Sequence, residues 1–430
     1  MDDLGVSMHK FCEELFPICR SITGDGVRKT LSMVRQHLPG LKIHEVPTGT
    51  ECFDWVVPRE WNIRDAYIID PAGRKIVDFQ KSNLHVLGYS IPVDKQVSLK
   101  ELQEHLYSLP DQPSAIPYST SYYKERWGFC ISHQQRSSLS EGTYHVRIDS
   151  DLAPGSLTYG ELILPGLEKK EIFLSTYTCH PSLANDNLSG PVVTTFLAKW
   201  LMGLKDRRYT YRIIFIPETI GAIIYLSRNM AAMKENIIAG FNLTCMGDDR
   251  AYAYLPSIQG DTLADKVARH VLKHAQPDHL TYTFLDRGSD ERQYCSPGID
   301  LPVCSIMRTA YGRFPEYHTS LDDLDLVTSS GLWGGYESHR RCLECLERNE
   351  VLKAAVLCEP QLSRRNMAQT VSSKTGLDRG RRDSINLMMY CDGRRSLLEV
   401  ADLINVPLWE LFPVIDNLKK TGLLSGREGL

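Results

Sequence analysis

Apolar side chains recur at helical spacing in Met8, Phe11, Leu15 and Phe16, and again in Leu31, Val34 and Leu38. Ser21-Ile22-Thr23-Gly24 between them is a turn signal, so residues 7–38 predict helix on both sides of a break. From about residue 43 to 147 the rhythm shortens to alternation, in the runs 42–46, 66–70 and 143–147, with Pro71-Ala72-Gly73 as a hairpin turn. This predicts a strand-rich segment inserted into, or laid against, the main domain. Its aromatic residues (Trp55, Trp61, Tyr118, Tyr122, Tyr123 and Trp127) are expected chiefly in cores and contacts, with the wall of a substrate cleft as the other reading. From about 158 to 330 apolar runs at 171–175, 211–216, 237–243 and 301–306 alternate with helical stretches at 190–202, 221–229 and 261–274. That grammar predicts an α/β domain whose mostly parallel sheet is covered by helices on both faces. In such sheets ligands sit beyond the carboxyl ends of the strands, so reactive side chains are expected directly after the apolar runs. Residues 360–382 are polar and basic and read as a linker. Residues 383–424 read as a compact unit with helical runs at 385–390, 397–404 and 408–420, separated by turns at Gly393 and Asn405-Val406-Pro407.

Composition narrows the class without choosing a function. Of 430 residues, 42% are hydrophobic and 24% charged, which excludes collagen-like, coiled-coil and wholly disordered chains. The 49 basic residues against 53 acidic ones argue against a protein built to hold nucleic acid or anionic lipid. The tail from 376 to 430 carries eight basic and eight acidic residues, so protein contact, within the chain or in a homo-oligomer, is expected of it rather than DNA binding. The acidic N-terminus has no signal-peptide core, and no run approaches the length of a membrane span. With twelve scattered cysteines, the expectation is a cytoplasmic protein with reduced thiols. Cys342 and Cys345 form a lone C-x-x-C pair, too little for a structural zinc site.

Three segments carry candidate chemistry. In the first, a strand ends in Thr178-Cys179-His180-Pro181, and Asp186-Asn187 follows just before a helix. Imidazole and carboxylate are both zinc ligands, although Asp186 would also serve as a helix cap and His180 as an ordinary loop histidine. In the second, Glu218 sits at the end of a very apolar strand, placed as general base toward a metal-activated water, or as a first-turn acid favoured by the helix dipole. In the third, His318 lies in Glu316-Tyr317-His318-Thr319-Ser320, followed by Asp322-Asp323. Together His180, Asp186 and His318 supply two imidazoles and one carboxylate with an open coordination position, the pattern of catalytic zinc. There is no G-x-x-x-x-G-K-[ST] phosphate loop and no G-x-S-x-G elbow. A thiol nucleophile at Cys179 is disfavoured, because a His180 committed to metal cannot serve as its base.

The order and spacing of these segments resemble the zinc-dependent aminopeptidases of the leucyl-aminopeptidase type. Nearly the whole chain also resembles a bacterial aminopeptidase-like family met beside polysaccharide or natural-product biosynthesis genes. That likeness is carried by Arg20-Ser21-Ile22-Thr23-Gly24, residues 55–90, Thr178-Cys179-His180-Pro181, Pro217-Glu218-Thr219-Ile220-Gly221, Gly247-Asp248-Asp249-Arg250 and Glu316-Tyr317-His318-Thr319. The resemblance implies a phosphorylase/hydrolase-like α/β core over 1–45 and 150–360, an inserted β-rich lobe over 46–149 and a winged-helix domain over 376–430. It also exposes two departures. Where the aminopeptidases carry the second Glu of a pair, this chain has Thr219, and where they carry an Asp after Asn-Leu it has Thr244. Each missing carboxylate is a private ligand of one metal in a two-metal site, so one Zn²⁺ is expected, with Asp248 or Asp249 as the route to a second. Ser289-Asp290-Glu291-Arg292 lies where the relatives line their pocket. Asp290 and Glu291 are thus expected to hold a substrate amino group, and Arg250, Arg308 or Arg313 a carboxylate, with Tyr311 as an oxyanion donor.

The expectation from the sequence is a zinc-dependent hydrolase of an amide or peptide bond, aminopeptidase-like, acting on a small peptide or aminoacyl substrate. A binding or regulatory protein with a degenerate metal site, and a single-zinc aminoacyl cyclase like the glutaminyl cyclases, are its alternatives.

Overall fold

The computed structural model describes residues 2–365 and 379–426. The chain divides into two compact units, Met1–Asp265 with Leu280–Glu337, and Lys266–His279 with Ser338–Leu430.

The first unit is built on an eight-stranded mixed sheet. Its order is Lys42–Pro47, Ser156–Leu164, Tyr209–Ile216, Glu168–Tyr177, Ile237–Asn242, Val303–Met307, Ala253–Leu255 and Leu280–Thr281. The middle four strands run parallel, as their apolar runs predict, whereas Lys42–Pro47 and Ser156–Leu164 add antiparallel strands at one flank. Ile172, Phe173 and Leu174 in the central strand are wholly buried. Each such side chain contributes about 1.5–3 kcal/mol by leaving water. The helices Ser189–Gly203 and Ile220–Asn236 follow two of the parallel strands as crossover elements. Tyr177 is in register with Ile216, and Thr178 N donates to Ile216 O. The segments bearing His180 and Glu218 therefore leave the sheet side by side at its carboxyl edge.

The strand-rich segment forms a four-stranded antiparallel sheet, in the order Lys75–Asp78, Glu60–Ile69, Thr143–Ala153 and Val93–Ser98. Tyr144, Val146, Ile148 and Ser150 alternate inward along its long strand, as period-two patterning requires. The expected hairpin turn is present. Gly73 adopts φ 79°, which favours glycine, and Asp70 accepts the N–H groups of Ala72 and Arg74. The irregular chain between these strands reaches the main domain. Tyr118 N donates to His318 O at 2.8 Å, and Ser320 N donates to Ile116 O at 2.8 Å.

The second unit contains a three-stranded antiparallel sheet in the order Asp392–Ser396, Val351–Ala354 and Leu424–Gly426, with helices Arg379–Tyr390, Leu397–Ile404 and Leu408–Lys420. Ser396 and Glu399 close a reciprocal capping box, and Asn405 ends its helix in the left-handed conformation, φ 54°. Leu397, Val400, Leu408, Leu411, Ile415 and Leu418 form the core. One boundary moves. Val351–Ala354 is the middle strand of this sheet, so the winged-helix unit begins upstream of the expected residue 376. Most of the expected linker at 360–382 lies outside the described residues. Among the described residues no helix is long and apolar enough to cross a membrane.

Candidate metal centre

His180 and Asp186 stand on a loop that is held from three sides. Arg20 is buried, and its guanidinium donates to the carbonyls of His180, Pro181 and Leu15, each at 2.7 Å. Asp322 is buried and accepts Asn185 N at 2.6 Å and Asp186 N at 2.9 Å, while its own carbonyl accepts Ala184 N. Burial pushes its carboxyl up to about 8. Asp248 binds the Asn185 amide at 3.2 Å and Thr309 N at 3.0 Å. His318 arrives from the opposite loop in a left-handed backbone conformation, φ 55°, uncommon for a non-glycine residue and typical of functional loops. Its ring stacks on Tyr317 at 3.9 Å and meets the edge of Tyr118 at 5.2 Å.

The ligand atoms of His180, Asp186 and His318 lie within 4.8 Å of one another. Burial pushes the His180 imidazole down to about 4, so it stays neutral with a lone pair to give. Burial pushes the Asp186 carboxyl up, but His180, His318 and Tyr177 outweigh that and hold it below its ordinary range, ionised. His318 Nε2 and Asp186 Oδ2 stand 2.9 Å apart, both buried, and neither makes a hydrogen bond of good geometry. Converging lone pairs left unsatisfied in this way are what a bound cation satisfies. Two imidazoles and one carboxylate suit Zn²⁺. Asp186 Oδ1 is already engaged, because it accepts the hydroxyl of Tyr177, which also bonds Thr244 Oγ1 at 2.7 Å. A tyrosyl proton therefore occupies the side of Asp186 from which a second cation would be reached.

Glu218 Oε2 lies 3.9 Å from His180 Nε2. Burial, and then the negative charges of Asp290 and Asp186, push its carboxyl well above the ordinary range. The segment is pinned next door. Thr219, at φ 62°, donates N–H to Asp290 Oδ1 at 2.7 Å and accepts Arg292 Nη2 at 2.7 Å through its hydroxyl. Beside these residues opens a cavity of about 380 Å³ lined by Ile22, Trp55, Tyr118, Thr120, Tyr122, Tyr123, Cys179, His180, Glu218, Thr219, Ile220 and His318. The aromatic residues of the lobe thus divide. Trp61 and Trp127 are core, whereas Trp55, Tyr118, Tyr122 and Tyr123 form a cavity wall.

The six residues expected to bind substrate are engaged with other groups in the structure. Asp290 is wholly buried behind Thr219 and does not line the cavity. Glu291 is saturated: Oε1 accepts Gly288 N, Ser289 N and the Tyr311 hydroxyl, and Oε2 accepts the Asn242 amide. Tyr311 spends its proton on Glu291 at 2.7 Å and accepts Gly288 N, so it is no oxyanion donor. Arg308 bonds Ala251 O and stacks on Tyr252 at 3.8 Å, away from the cavity. Arg250 and Arg313 pair with Glu316 and Asp286. Asp248 is spent on Asn185, Arg250 N and Thr309, and Asp249 accepts Thr328 and Ser330, so neither offers a second metal site.

Two other clusters of ligand type occur among the described residues. In Cys179–His180–Glu218 the thiol accepts Glu218 N at 3.3 Å, and burial pushes it far up, which disfavours a free thiolate nucleophile. In His270–His274–Asp402 both ring nitrogens of His270 are used, Nδ1 by Asp402 at 2.6 Å and Nε2 by Leu408 N at 2.9 Å, which marks a structural histidine. Sequence reasoning assigned no individual role to Arg20 or Tyr177. Arg20 gives a direct prediction. Arg20→Met takes the guanidinium from the His180 carbonyl, while Leu15 O and Pro181 O keep the N–H groups of Ile18 and Leu183, and zinc affinity, read by chelator competition, is expected to fall about 10–100-fold. An unchanged affinity would show that the guanidinium does not position His180.

Residues 9–349 match the family described as a domain of unknown function (DUF4910), and residues 350–426 match a winged helix-turn-helix family. A Clostridium acetobutylicum protein named for polysaccharide biosynthesis and an aminopeptidase-like domain is 46% identical over 400 residues, 93% of this chain and 91% of that protein. The crystal structure of a Clostridium acetobutylicum protein named as a peptidase superposes with TM-score 0.93 at 43% identity, over 99% of this chain and 97% of that one. BSAP, a zinc aminopeptidase from Bacillus subtilis, shares the fold, with TM-score 0.58 at 12% identity over 80% of this chain and 94% of that one. The chain belongs to the DUF4910 family, an aminopeptidase-like α/β fold followed here by a winged helix-turn-helix domain.

Proposed function

We propose that the protein is a zinc-dependent hydrolase of an amide bond in a small substrate, with a single Zn²⁺ per chain. The observation that carries this reading is the convergence of His180, Asp186 and His318 beside a half-buried Glu218 that lines a cavity of about 380 Å³. His180, Asp186 and His318 would hold the ion, whose chemistry is to polarise the scissile carbonyl and lower the pKa of water. Glu218 takes a proton from the attacking water and delivers it to the leaving nitrogen. Its carboxylate, 3.9 Å from His180 Nε2, stands within reach of a water beside the expected ion. Asp290 holds the Thr219 backbone N–H and Arg292 the Thr219 hydroxyl, which fixes the residue next to Glu218. The aromatic cavity wall orients the substrate. The name of the Clostridium relative supports a biosynthetic amide as the substrate rather than bulk peptide.

The test joins metal analysis to a panel of 4-nitroanilides. One zinc per chain together with released 4-nitroaniline is expected. A protein that retains no zinc at neutral pH overturns the proposal. The Thr219 and Thr244 replacements favour a second reading, a binding protein with a reduced metal site, and zinc retention without turnover on any amide would select it.

A further inference from the structure

The cavity differs from what an exopeptidase needs, because a free amino terminus is a cation. Taken out of water, an ammonium group must meet a carboxylate or lose most of its solvation. Among the twelve described lining residues Glu218 carries the only carboxyl group, and the mechanism proposed above requires it for proton transfer. The other acids expected to receive an amine are elsewhere: Asp290 lies behind Thr219, and Glu291 has both oxygens filled. The position next to Glu218 is a threonine, whose hydroxyl accepts from the Arg292 guanidinium, so it offers an arriving ammonium no carboxylate. A zinc ion among His180, Asp186 and His318 would repel an ammonium beside it. The wall contributed by the lobe is uncharged and aromatic: Trp55 and Tyr123 meet edge to face at 5.9 Å, and the Tyr118 and Tyr122 hydroxyls bond each other at 3.2 Å. Ile22 and Ile220 complete it.

We infer that the substrate is a neutral amide, one whose acyl part carries an acylated nitrogen or no nitrogen at all, with a flat apolar group seated against Trp55, Tyr118, Tyr122 and Tyr123. This rests on the hydrolase reading for its chemistry but not for its recognition. The bond broken is the same carbonyl–nitrogen bond; water supplies the hydroxyl to the acyl carbon and a proton to the leaving nitrogen.

The experiment compares two probes that differ only in the ammonium group, 3-phenylpropanamide and L-phenylalaninamide, on the zinc-loaded full chain. Binding is followed by tryptophan fluorescence and calorimetry. The neutral probe is expected to bind at least about tenfold more tightly. Trp55→Ala, a change at a part-exposed position, is expected to weaken it by about tenfold. Turnover is measured in parallel on the 4-nitroanilides of 3-phenylpropanoic acid, N-acetyl-L-phenylalanine and L-phenylalanine, the first two being expected as the better substrates. Equal or tighter binding of L-phenylalaninamide overturns the inference, as does unchanged affinity in Trp55→Ala. Selective binding of the neutral probe with no turnover of any anilide upholds the inference and removes the hydrolase reading. Hydrolysis with preference for the free amine does the reverse.

Discussion

Glu218→Gln is expected to keep its zinc and lose about 10³-fold in kcat, the usual weight of a positioned general acid–base group. The substitution preserves shape and the capacity to accept hydrogen bonds, and removes only the ability to take and release a proton. Neighbouring contacts argue that the fold will not change. Glu218 N rests on the Cys179 sulfur, Thr219 N on Asp290, and the Thr219 hydroxyl on Arg292, and none of these uses the Glu218 side chain. The nearest imidazole is 3.9 Å away, beyond hydrogen-bond distance, so His180 does not depend on Glu218 for its orientation. Zinc content by plasma spectrometry, thermal unfolding and single-turnover rates on the best anilide check the three parts separately. A variant with parental kcat would move the proton-transfer role to another group. A variant that loses zinc would make Glu218 part of the metal cage.

The sequence resolved strands and helices well where their patterns were strong. The apolar run 171–175 and the alternation along 143–147 each point to one kind of strand, and both are present. The antiparallel flank of the main sheet was not legible, since Lys42–Pro47 and Ser156–Leu164 are far apart in sequence and nothing local specifies their pairing. For the site, the residue types and their place after apolar strands pointed to His180, Asp186, Glu218 and His318, which the structure brings together. The substrate residues were illegible for a different reason. Glu291, Arg308 and Tyr311 are polar groups near the right strands, but whether a polar atom faces a cavity or a backbone amide is decided by packing. Tyr118 and Trp55 were ambiguous in the same way, because an aromatic ring suits a core and a cavity wall equally. Arg20 lay within a recognised motif, yet its targets are carbonyls 160 and 161 residues onward in the chain.

Asp186→Asn is expected to weaken zinc binding by roughly 10³-fold, about the share of one anionic ligand in the free energy of a protein zinc site. The amide keeps the volume of the side chain, and the backbone stays fixed, because Asn185 N and Asp186 N both donate to Asp322. What changes is charge: the two imidazoles lose the only carboxylate among the three convergent ligands. The same variant examines the count of ions. In the parent protein Oδ1 accepts the Tyr177 hydroxyl and Oδ2 faces His318, so one oxygen is free for a cation and titration should end at one equivalent. A parent endpoint of two equivalents would mean that Tyr177 swings away on loading. Tyr177→Phe then separates the possibilities, since it frees Oδ1 without altering any of the three ligands. With Thr219 and Thr244 both poor ligands, the freed oxygen alone should not hold a second ion, and the endpoint should stay at one. If Asp186→Asn retained zinc with parental affinity, the carboxylate would not be a ligand, and the two histidines would have to find their cation, and their charge balance, elsewhere in the cavity.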